Sequence, residues 1–282
     1  MSWRIEIEHN TFYSYRNSIT SQFNEVRITP RDTSKQFTIE HNLIVSPGAT
    51  IERYKDYFGT RVVTFAIEEP HSDLTIKATS LVETAAGASR PSKSPVSWDH
   101  VKSSTIADTY CEYLSSTKFV DTSELYNEIV EEASKAQTPG LAVEMIMEWI
   151  RENIAYLPGS TSVTTTASEA LEARSGVCQD FVHLALSILR AVGIPSRYVS
   201  GYLYPLDQGE VGETVTGESH AWCEVWLGDW YGVDPTNDTP VSQKHVLVGW
   251  GRDYSDVAPV KGVLHGDPSS EMNVEVKLKR IA

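Results

Sequence analysis

Gly176-Val177-Cys178-Gln179-Asp180-Phe181 sets one cysteine where a loop gives way to an apolar run, Phe181, Leu184, Ala185, Ile188 and Leu189, that stops at Gly193-Ile194-Pro195. The spacing predicts a helix that begins at or beside Cys178 and is long enough to present a macrodipole to the thiol. The thiolate is the nucleophilic form of cysteine, and a helix N-terminus beside an imidazolium is an arrangement that keeps such a group ionised near neutral pH. Ser219-His220-Ala221-Trp222 and Asp234-Pro235-Thr236-Asn237 follow. A thiol, an imidazole and a carboxylate in that order are the parts of an acyl-transfer site, with the base oriented by a third group.

Strands are expected around the histidine and the carboxylate, at Ser196 to Tyr204, Ser219 to Leu227 and Trp230 to Asp234, with a last strand at Met272 to Leu278. Helices precede them. Asp121 with Glu124 resembles a capping box before Leu125, Ile129, Val130 and Ala133; Thr138-Pro139 opens a helix; Thr166 with Glu169 is a second box, with Gly176 as its expected C-terminal stop. Helices first and antiparallel sheet second make this part α+β.

Further upstream the period changes from helical to two. Trp3, Ile5 and Ile7 alternate with Arg4, Glu6 and Glu8, and Leu74, Ile76 and Ala78 alternate with Thr75, Lys77 and Thr79. Turn residues fall at Pro30-Arg31-Asp32, Ser46-Pro47-Gly48 and Phe58-Gly59-Thr60, so residues 1–83 read as an antiparallel β-sandwich or a small barrel. Residues 84–97, rich in Ala, Ser, Gly and Pro, read as a linker, and 98–282 as the catalytic core.

The 282 residues allow two domains, and 40% hydrophobic with 22% charged residues is ordinary globular composition. A formal net charge of −14 without any Lys/Arg run argues against a nucleic-acid partner. No apolar run reaches the length of a membrane span, and Met1 to Glu6 alternates like a strand where a signal peptide needs a basic and then an apolar segment; no membrane partner and a cytoplasmic location are expected. Three cysteines without CxxC spacing suggest neither a disulfide framework nor a zinc site, which suits a reducing compartment. No cofactor or metal is called for.

Competing readings narrow the site. Cys111, among Tyr110, Tyr113 and Leu114, is expected in a helix as a structural residue, and Cys223 shares a strand face with Ala221, Val225 and Leu227, expected to be core. His9, His41, His71, His100, His183, His245 and His265 carry no motif, and His183 turns to another helix face from Cys178. Asp229 belongs to a turn and Asp238 has no motif, which leaves Asp234 to orient His220. The N–H of Cys178 is the expected oxyanion donor, with Tyr156 a weak candidate for a second. Gln179 and Asp180 flank the nucleophile, and Asp253 with Tyr254 could line the cleft.

The hairpin between histidine and carboxylate must also have the right length. A two-residue turn, Gly228-Asp229, would pair Cys223 with Asp234 and point the carboxylate away from His220. A three-residue loop with Trp226 opposite Trp230 instead makes Asp234 the diagonal neighbour of His220 on one face, which the triad requires.

These motifs, with Leu189 to Tyr202, resemble the transglutaminase-like branch of the papain-type cysteine enzymes. Asn24 to Arg31 and Tyr54 to Gly59 look like the β-rich domain that precedes the core in the bacterial transglutaminase-like cysteine proteases, and Gly251 to Val260 looks like their tail. The resemblance implies a papain-like core and a Cys-His-Asp enzyme acting on amide bonds: Cys178 as nucleophile, His220 as acid and base, Asp234 as orienter, with a peptide, protein or amide substrate. Without an EF-hand-like run, hydrolysis of the thioester is expected over transfer to an amine. A non-catalytic peptide-binding module is the remaining alternative, and the intact triad argues against it.

Overall fold

The computed structural model describes residues 2–85, 87, 90–206, 210–237, 239–267 and 269–282. Six strands come first: β1 (Ser2–Ile19), β2 (Ser21–Val26), β3 (Gln36–Ser46), β4 (Ile51–Lys55), β5 (Arg61–Ile67) and β6 (His71–Ala85). The helical part follows, with α1 (Trp98–Val101), α2 (Ser104–Thr109), α3 (Asn127–Ser134), α4 (Pro139–Asn153), β7 (Ala155–Tyr156), α5 (Ala167–Ala173), β8 (Ser175–Gly176) and α6 (Cys178–Val192). The chain closes with β9 (Ser196–Leu203), β10 (Thr214–Gly217), β11 (Ser219–Trp226), β12 (Trp230–Val233), β13 (His245–Gly251), α7 (Tyr254–Val257), β14 (Val260–His265) and β15 (Ser270–Arg280).

Alternation along β1 explains how the β-rich part meets the rest. One face of this long strand carries Trp3, Ile5 and Ile7, which pack with Tyr202, Val246 and Val248 of β9 and β13. Further along, Tyr15 and Ile19 join Leu43, Val63, Phe65 and Leu74 in a second core. β1 belongs to a five-stranded sheet ordered β10-β15-β1-β6-β3, and the second core closes it against a four-stranded sheet ordered β14-β2-β5-β4. The result is the antiparallel sandwich that the pattern predicts. Strands β10, β14 and β15 come from beyond residue 98 and complete these sheets, so both ends of the chain build them. Of the stretch 84–97, Thr84 and Ala85 finish β6 and Pro91–Lys93 form a 3-10 turn, while Ala86, Ala88 and Ser89 lie outside the described residues.

A separate four-stranded antiparallel sheet, ordered β12-β11-β9-β13, carries the histidine. Ala221, Cys223 and Val225 of β11 pack with Tyr198 and Val233 against the helices, and Cys223 is core as expected. At the centre lies α6, buried at every position except Cys178 and Ala191. Its aliphatic face fills the core, each large side chain there contributing roughly 1.5–3 kcal/mol, and its polar stripe of Gln179, His183, Ser187 and Arg190 is buried as well. The mixed α+β class is as read from the sequence.

Two local expectations need correction. Asp121 does not cap the helix that follows it, because its carboxylate accepts from the Tyr126 hydroxyl at 2.8 Å and, at 3.2 Å, from the Ser168 N–H in the first turn of α5; Ser123 caps the turn Glu124–Tyr126. Helix α5 ends on Arg174, in the left-handed region at φ 52°, three residues from its last buried leucine, and Gly176 is not its stop. The Thr166/Glu169 capping box and the Thr138 cap form as expected.

Candidate active site

The start of α6 is a local construction. Val177 has no side-chain acceptor, but the Asp180 carboxylate reaches back to the Val177 N–H at 2.8 Å, half of a capping box. The same Asp180 oxygen accepts from the Thr161 hydroxyl at 2.6 Å, tying the 157–165 loop to the helix. Gly176 matters here because a side chain would meet Asp180 at 2.7 Å. Burial raises the Asp180 carboxyl above its ordinary value, against the two hydrogen bonds that lower it. Cys178 is therefore the first helical residue, partly buried, and its N–H has no partner within the helix.

The other half of the site depends on register. Trp226 pairs with Trp230 and Cys223 with Val233, so the hairpin has the three-residue loop Leu227 to Asp229, with Gly228 at φ +84° and the Leu227 N–H bonded to the Asp229 carbonyl at 2.9 Å. Asp234, one step past β12, then faces His220, whose Nε2 lies 2.7 Å from Asp234 Oδ2. The Cys178 thiol is a close enough neighbour of this ring to help raise its pKa. Because Nε2 is engaged by the carboxylate, Nδ1 is the nitrogen left for sulfur. Cys178, His220 and Asp234 are thus brought together, with the imidazole in the middle.

The electrostatics follow from these contacts. Burial alone would lower the His220 pKa, but Asp234 and Cys178 outweigh it and raise it from 6.5 to about 9, so the ring is an imidazolium at neutral pH. Asp234 is buried, which by itself would raise its carboxyl; bonds from His220, His245 and Asn237 hold it well below the usual range instead. Its Oδ1 accepts from the N–H groups of Thr236 and Asn237 at 3.0 and 3.2 Å, and its Oδ2 from the Asn237 amide at 2.9 Å.

His245 completes this cluster, which sequence reasoning missed. It begins a strand, His245-Val246-Leu247-Val248, that carries no motif, and only the sheet order brings its Nε2 to 3.4 Å from Asp234 Oδ2. The donor atoms of His220, Asp234 and His245 lie within 4.8 Å of one another, close enough to hold a cation, and they already serve as one another's hydrogen-bond partners.

Other candidates take structural or flanking positions. Asp253 caps α7 and the Tyr254 N–H donates to His183 at 3.2 Å, so the two hold the tail in place. Gln179 bonds the Val163 carbonyl at 3.3 Å. Tyr156 is 48% exposed, its ring lies 6.2 Å from that of Phe181 in the first turn of α6, and its phenol is raised by burial first. Cys111 lies exposed in a 3-10 turn, not in an α-helix. Asp238 lies outside the described residues.

A helix-borne cysteine packed on an antiparallel sheet that carries the histidine defines the papain-like, transglutaminase-like class. Residues 127–235 match the model of the transglutaminase-like superfamily and residues 5–83 that of the bacterial transglutaminase-like N-terminal region. An uncharacterized protein of Mycobacterium leprae is 40% identical over 99% of this chain and 100% of its own length. The crystal structure of a putative cysteine protease from Cytophaga hutchinsonii superposes with a TM-score of 0.84 at 25% identity, covering 100% of this chain and 92% of that one. A protein-glutamine gamma-glutamyltransferase of Pseudomonas aeruginosa is 31% identical over 36% of this chain and 16% of its length. The chain belongs to the transglutaminase-like superfamily. Among the described residues no helix is long and apolar enough to cross a membrane.

Proposed function

We propose that the protein is a thiol hydrolase that cleaves peptide or amide bonds through Cys178, His220 and Asp234. The observation that carries this reading is the short His220–Asp234 bond of 2.7 Å, on a ring that also has the Cys178 thiol as a neighbour. The Cys178 sulfur attacks the carbonyl carbon, and the N–H at the start of α6 is directed at the oxygen as negative charge develops. The C–N bond then breaks, and His220 gives its proton to the leaving amine. Water, deprotonated by the now neutral His220, attacks the thioester and frees the acid and the thiol.

Hydrolysis is favoured over amine transfer because the loop beside the thiol is open to water: Leu157 is 54% and Val163 59% exposed. The Pseudomonas relative, named for glutamyl transfer, supports the alternative in which an amine replaces water. A reducing compartment such as the cytoplasm suits three cysteines that are all free. A panel of peptides and carboxamides, assayed with and without a labelled primary amine and with Cys178→Ala as blank, tests the reading. Free acid as the main product supports hydrolysis; an amine conjugate as the main product moves the protein to the transferases; a Cys178→Ala protein as active as the parent overturns the mechanism.

A further inference from the structure

We propose that His245 is a positioning residue for the reaction, holding the Asp234 carboxylate toward His220 with a fixed ring N–H; the proposal rests on the function given above. The tautomer is set by the backbone. The Ser242 N–H donates to His245 Nδ1 at 3.2 Å, so Nδ1 is unprotonated and the ring hydrogen sits on Nε2, the atom 3.4 Å from Asp234 Oδ2. A ring clamped this way can only donate to the carboxylate.

The surroundings keep that donor neutral. Its side chain is fully enclosed, and the charged or titratable groups around it are Asp234, His220 and Lys244. Burial, with the positive charges of His220 and Lys244, outweighs the pull of Asp234 and lowers the His245 pKa. The consequence is a division of labour between two rings whose centroids are 6.1 Å apart. A second imidazolium there would repel the one on His220 and share its counter-charge. A neutral N–H supplies direction without charge, leaving the carboxylate's negative charge to His220. Trp222 walls both rings, stacked on His220 at 6.2 Å and edge-on to His245 at 5.2 Å, so neither ring is free to swing.

Two variants separate positioning from mere packing. His245→Phe keeps a flat ring and removes the N–H, whereas His245→Gln can return an amide N–H close to the place of Nε2. His245→Phe is expected to lower kcat about tenfold, the smaller effect of losing a bond to a charged group, with KM unchanged. With one donor fewer, Asp234 is the stronger base and holds the His220 proton more firmly, so the alkaline limb of the rate profile moves to higher pH. His245→Gln is expected to restore both.

Iodoacetamide labelling of Cys178 against pH reads the same shift without turnover, and long-range proton–nitrogen NMR of the unaltered protein reads the tautomer without any variant. An absence of hydrolysis would count against the proposed reaction alone, since the labelling profile and the tautomer would still report on positioning. A His245 protonated at Nδ1, a His245→Phe protein with parental kcat and pH profile, or a folded His245→Gln protein no better than His245→Phe would each overturn the proposal.

Discussion

The thiol and the carboxylate on either side of His220 are held in opposite ways. Cys178 is placed by its chain neighbours: Asp180 caps the helix start two residues on, and Thr161 braces that cap from a nearby loop. Asp234 is placed by a hairpin register, two residues of its own turn and a histidine from the far edge strand. That edge strand, β13, is itself gripped by the N-terminal sheet. The Gln36 side chain accepts from the Leu247 N–H at 2.8 Å and donates to the Leu247 carbonyl at 2.7 Å, two residues from His245. Chemistry and stability should therefore separate on the helix side of the site and stay joined on the sheet side.

The sharpest way to break this contrast is to remove each end in turn. Cys178→Ala is expected to abolish turnover and leave the denaturation midpoint almost unchanged, because a partly exposed thiol gives way to a good helix former. Asp234→Ala is expected to lower kcat/KM by roughly three to four orders of magnitude and also to cost about 3–5 kcal/mol in chemical denaturation, since buried donors lose their acceptor. Equal stability losses in the two variants would erase the distinction.

Thiol labelling probes the helix side alone. Cys111 is the exposed cysteine and Cys223 the buried one, so accessibility by itself predicts Cys111 as the fastest. With the imidazolium and helix start acting on it, Cys178 is expected to react with iodoacetamide at near-neutral pH at least about tenfold faster than either. Mass spectrometry after brief labelling shows which order holds; equal labelling of Cys111 would mean the site does not activate its thiol.

Stability against pH probes the sheet side. His220 has its pKa raised from 6.5 to about 9 in the fold, so its contribution is fully present below pH 6.5 and is lost as pH rises through about 9. Asp234 is held below its ordinary value, so its contribution is present above about pH 4 and lost as pH falls. His245, lowered by burial, also favours unfolding as pH drops below 6.5. Denaturation midpoints across pH 4 to 10 are expected to fall at both ends, and His220→Gln to flatten the alkaline fall most, with a smaller flattening of the acid fall because Asp234 and His245 both lose a neighbour that lowers them. An unchanged alkaline limb in that variant would assign the loss elsewhere.

The smallest effect tests whether the N-terminal sheet braces the site. Gln36→Ala removes two bonds to Leu247 and is expected to cost about 1–3 kcal/mol of stability with a loss of rate below about tenfold. Parental stability in that variant would mean that the Gln36 bonds do not brace the sheet, and that packing with the Arg31, Thr84 and His9 bonds is enough to join it.

Much of this was legible because it is local. The period-two pattern of Trp3, Ile5 and Ile7, the Thr138 and Thr166 caps, and the apolar run from Cys178 to Gly193 all depend on residues within a few positions of one another. Even the hairpin loop was legible, since chemistry required His220 and Asp234 on one face and pleat geometry then fixed its length. The misreadings were local signals overruled by distant partners. Asp121 left its expected cap for Ser168, 47 residues on, and Gly176, which looked like a helix stop, makes room for Asp180.

By itself, then, the sequence determined the class, the main helices and strands around the site, and the thiol, imidazole and carboxylate as its candidate groups, because backbone hydrogen bonding and apolar period act over short spans. Only the tertiary structure decided that the last strands complete the first sheets and that His245, with no motif, reaches Asp234. Sheet order and burial are set by which faces find each other across the whole chain, and a single histidine's tautomer by one backbone N–H beside it.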